Sequence, residues 1–406
     1  MTKTDELAIN SYNAALAHSR AGRFADARAC YERAIAIDPG YVRALNNLGT
    51  LLDDLGEHGA AESRFRTAIA VDPDVPEPWT GLGTNLRIQG RLAEARAAYE
   101  HALALRAVFP AVRWNLAMID LAEGRFAEGW MNYLFRPGVD RMQTPLIELP
   151  DDLTGTIIEI ADEQGLGDAL FFMRFVPALR ARGSCVRYRA DARISGIVAR
   201  MMDFGTAPSG AHAIRVALGD LPYLLVVNAC PVSLSVTPLP GRIEVMRAML
   251  EKAGPPPYIG VTWRAGQRAD GVLFKEVPPD QLGAALRQSR GTLIDVQRAP
   301  QPGEHARLEA AAGRRIADLS GRNEDIEDML ALMNLLDDYV AVSNTNIHLR
   351  AAVGRVARVL VANPAEYRWM AAGETAPWFP GFTLYRQSPS GAWDSALAHL
   401  TDDLRR

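Results

Sequence analysis

Three stretches of this 406-residue chain combine residue types suited to oxygen-rich, negatively charged ligands. In Glu163-Gln164-Gly165-Leu166-Gly167-Asp168, the glycines let a ligand approach main-chain N–H groups at the start of an expected helix, where the helix dipole favours an anion. Asp168 stands beside that opening, and at the head of a helix from Ala169 it can equally serve as a cap. The second stretch supplies cations: Arg264, directly after the strand-like run Tyr258 to Trp263, and Lys275, before Glu276-Val277-Pro278. Both follow a strand whose carboxyl end should face a crevice, so both could approach a diphosphate; a solvated surface lysine is the other reading of Lys275. In the third, Ser343, Asn344, Thr345 and Asn346 precede a helix bearing His348, and their hydroxyls, amides and backbone N–H groups could cradle a phosphate or simply cap that helix. His348 could donate to a phosphate or a sugar hydroxyl, or be a packing residue, and Arg350 is a second candidate. Trp369 and Trp378 are either stacking platforms for a base or sugar, or core aromatics.

The elements that must hold these residues follow from local pattern. Thr156 to Ile160 is a short β-rich run, followed by the glycine loop and an apolar helical stretch from Ala169 to Arg182. A strand at Cys185 to Arg189 and a helix from Ile194 to Met202 repeat the β-α order of a parallel, doubly wound sheet. After Gly254-Pro255-Pro256-Pro257 comes the Tyr258 strand, with Arg264-Ala265-Gly266 as the turn beyond it. Leu293 to Gln297, Arg315 to Leu319, Asp338 to Val342 and Arg358 to Val361 are further strand candidates, interleaved with helices such as Ile326 to Leu336 and Ile347 to Val353. Two Rossmann-like halves are expected to meet across a cleft. The first loop lacks Gly-x-Gly-x-x-Gly, which disfavours a dinucleotide oxidoreductase. No Asp-x-Asp motif closes a strand, so no metal is implied.

Upstream, Gly22, Gly56, Gly90 and Gly124 recur every 34 residues. Leu48, Leu82 and Leu116 keep that phase, as do the aromatics Tyr31, Phe65, Tyr99 and Tyr133 and the prolines Pro39 and Pro73; Ala107 departs at the proline position. Each glycine should turn one amphipathic helix into the next, and the in-phase aromatics should fill the space between paired helices. This is the signature of tetratricopeptide repeats, four of them in residues 1–136. Residues 137–152 read as a linker, 153–240 as a first Rossmann-like half and 241–406 as a second, with a C-terminal helix that could pack back. The fold class is therefore α plus α/β, an α-solenoid followed by a pair of Rossmann-like domains. A stacked solenoid presents a concave groove to a peptide or protein. Asn13, Asn46, Asn47, Asn85 and Asn115 lie on first helices, where their amides could grip an extended backbone or merely be exposed.

Composition narrows the partners. A net charge of −4 offers no broad attraction to nucleic acid or anionic lipid, and no run is long and apolar enough to span a bilayer. Three scattered cysteines, Cys30, Cys185 and Cys230, suggest neither a disulfide framework nor a zinc site; a cytoplasmic setting is expected.

Beyond the repeats, the chain resembles bacterial tetratricopeptide-glycosyltransferase proteins, whose C-terminal domain is similar to heptosyltransferase-like GT-B enzymes. The resemblance rests on Phe126-Ala127-Glu128-Gly129-Trp130, the Glu163–Asp168 loop, Val261-Thr262-Trp263-Arg264-Ala265-Gly266, His348-Leu349 followed by Gly354, Arg368-Trp369 and Pro377-Trp378-Phe379-Pro380. It implies a GT-B pair in which the first half takes the acceptor and the second a nucleotide sugar. It implies Asp168 as general base, Lys275 as a donor-side cation, and metal-independent, inverting transfer to an acceptor docked by the repeats, with no tightly bound cofactor. The chain departs from that pattern at Ser343 or Asn344, where an aspartate is usual. This keeps open a second reading, a non-catalytic interaction scaffold with a degenerate GT-B domain.

Overall fold

The computed structural model describes residues 3–207, 209–265 and 275–405. Gly266, which the sequence places in the turn after the Tyr258 strand, lies outside them. The chain divides into two compact units, residues 1–119 and 120–406.

The first unit is helical: α1 (Lys3–Arg20), α2 (Phe24–Ile37), α3 (Val42–Asp54), α4 (His58–Val71), α5 (Pro76–Ile88), α6 (Leu92–Leu105) and the start of α7 (Pro110–Ala122), which spans the boundary. Gly22, Gly56 and Gly90 adopt φ of +71°, +79° and +76°, a region costly for any residue with a Cβ. The residue after each glycine donates its N–H five positions back, Arg23 to His18, Glu57 to Leu52 and Arg91 to Leu86, so the same glycine-terminated helix end recurs in every repeat. The second helices stop where Asp38 and Asp72 turn extended and each side chain accepts the N–H two residues on, an arrangement compatible with the following proline. Tyr31, Phe65 and Tyr99 are buried in the core, as their phase predicts. The Phe65 ring packs against the backbone of Gly49 and Gly81, where a Cβ would stand 2.7 and 2.3 Å from its Cε1.

The second unit takes in the end of α7 and then α8 (Phe126–Tyr133), whose preceding turn repeats the same geometry at Gly124, φ +78°. Residues 137–152 form neither helix nor strand but are tied down: Arg141 donates to Asp220 and to the Leu134 carbonyl. A three-stranded parallel sheet follows, in the order β2 (Cys185–Tyr188), β1 (Thr156–Ala161), β3 (His212–Ala217). The helix expected from Ala169 to Arg182 is instead α9 (Leu166–Phe172), a 3-10 turn at Met173–Phe175 and α10 (Val176–Ala181), because Pro177 has no N–H to continue the ladder. α11 (Ser195–Met201) and α12 (Leu221–Leu224) complete this part, whereas α13 (Pro240–Ala253) packs on the second half, its Arg242 pairing with Asp325 and Asp328.

The larger sheet has six parallel strands in the order β6 (Ala317–Asp318), β5 (Thr292–Asp295), β4 (Tyr258–Thr262), β7 (Asp338–Val342), β8 (Arg358–Val361), β9 (Thr383–Arg386). The helices α14 (Pro279–Leu286), α15 (Glu304–Ala312), α16 (Ile326–Leu335) and α17 (Thr345–Ala352) connect β4 through β8. Numbered within this sheet, the order is 3-2-1-4-5-6, the doubly wound arrangement in which ligands enter beyond the carboxyl ends of the two central strands. The C-terminal helix α18 (Asp394–Arg405) packs on α14 of the same half, with Thr401 donating to the Ala285 carbonyl. Strands β3 and β9 had no counterpart in the sequence reading. An aromatic core joins the halves of this unit: Trp130 of α8 meets Phe172, Phe175, Tyr367 and Trp378 edge-on at 5.8–6.2 Å. No helix among the described residues is long and apolar enough to cross a membrane.

Candidate functional site

The chain reverses at the carboxyl ends of β1, β4 and β7, and there the second unit holds a crevice of about 650 Å³. Gly165, Gly167, Asp168, Arg264, Lys275, Ser343, Asn344, Thr345, Asn346 and His348 all line it. The glycine loop after β1 and the turn before α17 therefore face each other. Gly167 makes this possible, because a Cβ there would stand 3.0 Å from the His348 ring and 3.5 Å from the Thr345 backbone.

Each side chain reaches the crevice in a particular electrostatic state. Asp168 does not cap α9; the helix starts on Gly165, whose carbonyl accepts from Ala169, and the Asp168 carboxylate instead accepts from the guanidinium of Arg368. Arg264 is buried and ion-paired through Nε and Nη2 with Glu304 at 3.1–3.2 Å, so a local carboxylate compensates its charge. Its main chain is pinned by Gln297, which accepts from the Trp263 and Arg264 N–H groups and donates to the Arg264 carbonyl. Lys275 pairs with Glu366 at 2.7 Å. Burial pushes the Glu366 carboxyl up, but the Lys275 charge and hydrogen bond outweigh it and hold the group below the usual carboxylate range. Asn344 is the N-cap of α17, its Oδ1 accepting from the Asn346 and Ile347 N–H groups. Those two donors are thus taken by the protein's own side chain, so a phosphate there would have to displace the cap. The Asn346 amide donates to Asn323. His348 is buried, and burial, with Arg174 and Lys275 adding to it, lowers its pKa to about 3: the imidazole is neutral, and its Nδ1 has no hydrogen-bond partner among the described residues.

Other candidates are placed elsewhere. Arg350 is buried with its guanidinium on the carbonyls of Met333, Leu336, Asp337 and Val356, where it ties α17 to the α16–β7 turn and not to a ligand. Trp369 and Trp378 are core residues, 1% and 0% exposed: Trp369 stacks on Phe379 at 4.8 Å, and Trp378 packs among Phe126, Trp130 and Phe171. Neither presents a face for a base. Among the repeat asparagines, Asn85 is wholly buried, donating to Asp53 and the His58 carbonyl, because it stands one turn beyond the phase that Asn13, Asn47 and Asn115 share. Asn13 is exposed and Asn115 half-buried; half-buried Asn47 receives Asn46 and donates to the Tyr12 hydroxyl.

Sequence reasoning did not single out Arg368, Glu366, Arg298 or Asn323 as ligand-binding candidates, yet all line the crevice. The conformation of the loop after β5, where Ala299 takes φ +46°, was the missing signal for Arg298. Glu163 anchors the glycine loop to the end of β3, accepting from Arg136 and from the Leu218 and Gly219 N–H groups. Burial opposes the charge on Arg136, but Asp220 and Glu163 more than restore it. Outside the crevice, Asp295, His305 and Asp318 bring possible metal-ligand atoms within 4.8 Å of one another, a cluster the absence of Asp-x-Asp had not suggested. His305 Nδ1 already lies 2.7 Å from Asp295, whose carboxyl burial raises to about 6.

Comparison with known proteins bears on the first unit most directly. Residues 6–74 and 46–108 match two tetratricopeptide-repeat models. Protein FlbA of Caulobacter vibrioides is 26% identical over 325 residues, covering 71% of this chain and 54% of FlbA. The chain thus spans about half the length of that relative, and the matched share exceeds the repeat region, so the similarity runs on into the α/β unit. Among solved structures, the first tetratricopeptide domain of Spaghetti (RPAP3) bound to an HSP90 peptide is 21% identical, with a TM-score of 0.29 over 29% of this chain and 94% of that one. The OM64 tetratricopeptide domain of Arabidopsis is 19% identical, with a TM-score of 0.28 over 29% and 96%. The N-terminal region of this chain carries tetratricopeptide repeats, and the parallel sheets of the second unit are compatible with a Rossmann-like fold.

Proposed function

We propose that the α/β unit is a GT-B-like, nucleotide-sugar-dependent glycosyltransferase and that the repeats recruit its protein acceptor. The observation that carries the reading is the meeting of the Asp168 loop and the α17 N-terminus over one crevice at the switch point of a doubly wound sheet. In this reading an acceptor hydroxyl attacks the anomeric carbon, Asp168 takes its proton, and the bond from that carbon to the donor phosphate breaks on the opposite face, inverting the configuration. The departing phosphate is stabilised by crevice cations and by α17 backbone donors once the Asn344 cap yields, without a metal ion. Stacked tetratricopeptide helices offer an extended concave surface for a peptide or protein. Covalent linkage of that surface to the crevice raises the effective concentration of a bound acceptor. Three free cysteines suit the reducing cytoplasm in which nucleotide sugars would be available.

One observation favours the scaffold reading: Arg264, Lys275 and Arg368 each face a carboxylate, leaving less unpaired positive charge for an anion. A thermal-shift screen of the full chain against UDP, GDP, ADP and CMP separates the two, since a ligand bound only by the folded state raises its melting temperature. We expect one nucleotide to stabilise the chain, and Asp168→Ala to remove sugar transfer, by roughly a hundredfold or more, without weakening that nucleotide. No shift with any of the four supports the scaffold.

A further inference from the structure

Among the described residues, four cations and three carboxylates line the crevice, and what matters is which pair a phosphate can open. Arg264 is held by two contacts to buried Glu304 and by a third hydrogen bond to the Ala299 carbonyl. Lys275 is engaged by Glu366, and Arg298 is exposed. Arg368 differs from all three. It is 7% exposed, its guanidinium lies 4.9 and 5.0 Å from the Phe171 and Tyr367 ring centres, and its Nε has no hydrogen-bond partner among the described residues. Its close carboxylate partner is Asp168, whose side chain is 35% exposed and so lies within reach of solvent and ligand.

Resting on the sugar-transfer reading above, we propose that Arg368 binds the donor phosphate and that its ion pair with Asp168 is a lock on the base, released when phosphate takes the guanidinium. A carboxylate that accepts a hydrogen bond from a guanidinium is stabilised as the anion and takes up a proton poorly. Phosphate oxygens match the same planar fork and carry more charge than one carboxylate, so they compete for it effectively. The base then becomes strong only after donor has bound, which keeps an acceptor or water from being activated in an empty site. The aromatic rings beside Arg368 favour this exchange, because a stacked guanidinium can change partner without losing its flanking contacts. Glu366 stands 3.7 Å from Arg368 and already holds Lys275, so it steadies the cation in either state.

Thermodynamic reciprocity supplies the test: if phosphate must displace Asp168, then removing the Asp168 charge must tighten phosphate binding. Titration calorimetry of the full chain with UDP, GDP, ADP, CMP and inorganic pyrophosphate is run on wild type, Asp168→Asn and Glu324→Gln, the last removing an exposed crevice carboxylate that has no part in the lock. We expect Asp168→Asn to bind the active probe about tenfold tighter and Glu324→Gln to stay within about twofold of wild type. In an Arg368→Lys background the gain from Asp168→Asn should shrink, because a point cation lacks the fork. Binding to wild type with no gain in Asp168→Asn, or an equal gain in Glu324→Gln, overturns the lock alone. Failure of every probe to bind any of the proteins overturns it together with the sugar-transfer reading.

Discussion

At the residue scale the crevice gathers the ion pairs of Arg264, Lys275 and Arg368 and the neutral imidazole of His348. His348 is the group whose state burial decides most strongly, with its pKa lowered to about 3 against an unfolded value near 6.5. Between those values the unfolded chain binds the proton and the folded chain does not, so acidification through this window favours unfolding. Relative to His348→Gln, wild type should therefore lose about 2–3 kcal/mol of stability between pH 7 and pH 4.5. Urea unfolding at several pH values measures this, and a difference independent of pH would show that His348 titrates normally. Asp295 acts in the opposite sense: its raised pKa of about 6 means the folded state takes up a proton before the unfolded one, adding stability as pH falls from about 6 toward 4. Comparison with the His348 variant cancels that contribution.

At the scale of elements, the repeats are held by glycine used in two ways. Gly22, Gly56 and Gly90 turn the chain at positive φ, whereas Gly49 and Gly81 are helical glycines whose missing side chains make room for Phe65. Gly81→Ala places a methyl 2.3 Å from the Phe65 ring, a collision that helix propensity, which favours alanine, cannot offset. We expect a loss of about 1–3 kcal/mol in urea unfolding, relieved in the double variant with Phe65→Leu. A stabilised Gly81→Ala protein would refute this account of the α3–α5 packing. The 34-residue phase made the helices, their turns and the buried aromatics legible, because every contact that defines a helix pair is short in sequence. It also marked Asn85 as out of step, although residue type alone grouped it with the groove asparagines. The split of α9 from α10 was equally signalled by Pro177, which the apolar pattern outweighed in the sequence reading.

At the scale of the whole molecule, α8 belongs to the α/β unit: Trp130 is buried against Phe172, Phe175 and Trp378, and Arg136 lies between Asp220 and Glu163. A fragment starting at Leu146 lacks these groups, which opens an aromatic core and leaves two carboxylates without their cation, each change worth about 3–5 kcal/mol. A fragment starting at Val108 keeps them. Differential scanning calorimetry should show a cooperative transition for residues 108–406 and a much lower or absent one for 146–406; equal melting temperatures would mean that α8 is dispensable.

The sequence by itself determined the repeat period, the positive-φ turns, most strands of the larger sheet and the loops that border the crevice, because each rests on neighbours a few residues apart or on strand ends that a doubly wound sheet brings together. Tertiary structure alone decided which charges are paired. Asp168 meets Arg368 across 200 residues and Arg136 meets Asp220 across 84, and no local pattern encodes such partners. It also decided that Trp369, Trp378 and Arg350 are interior residues, since burial depends on what the rest of the chain lays over them.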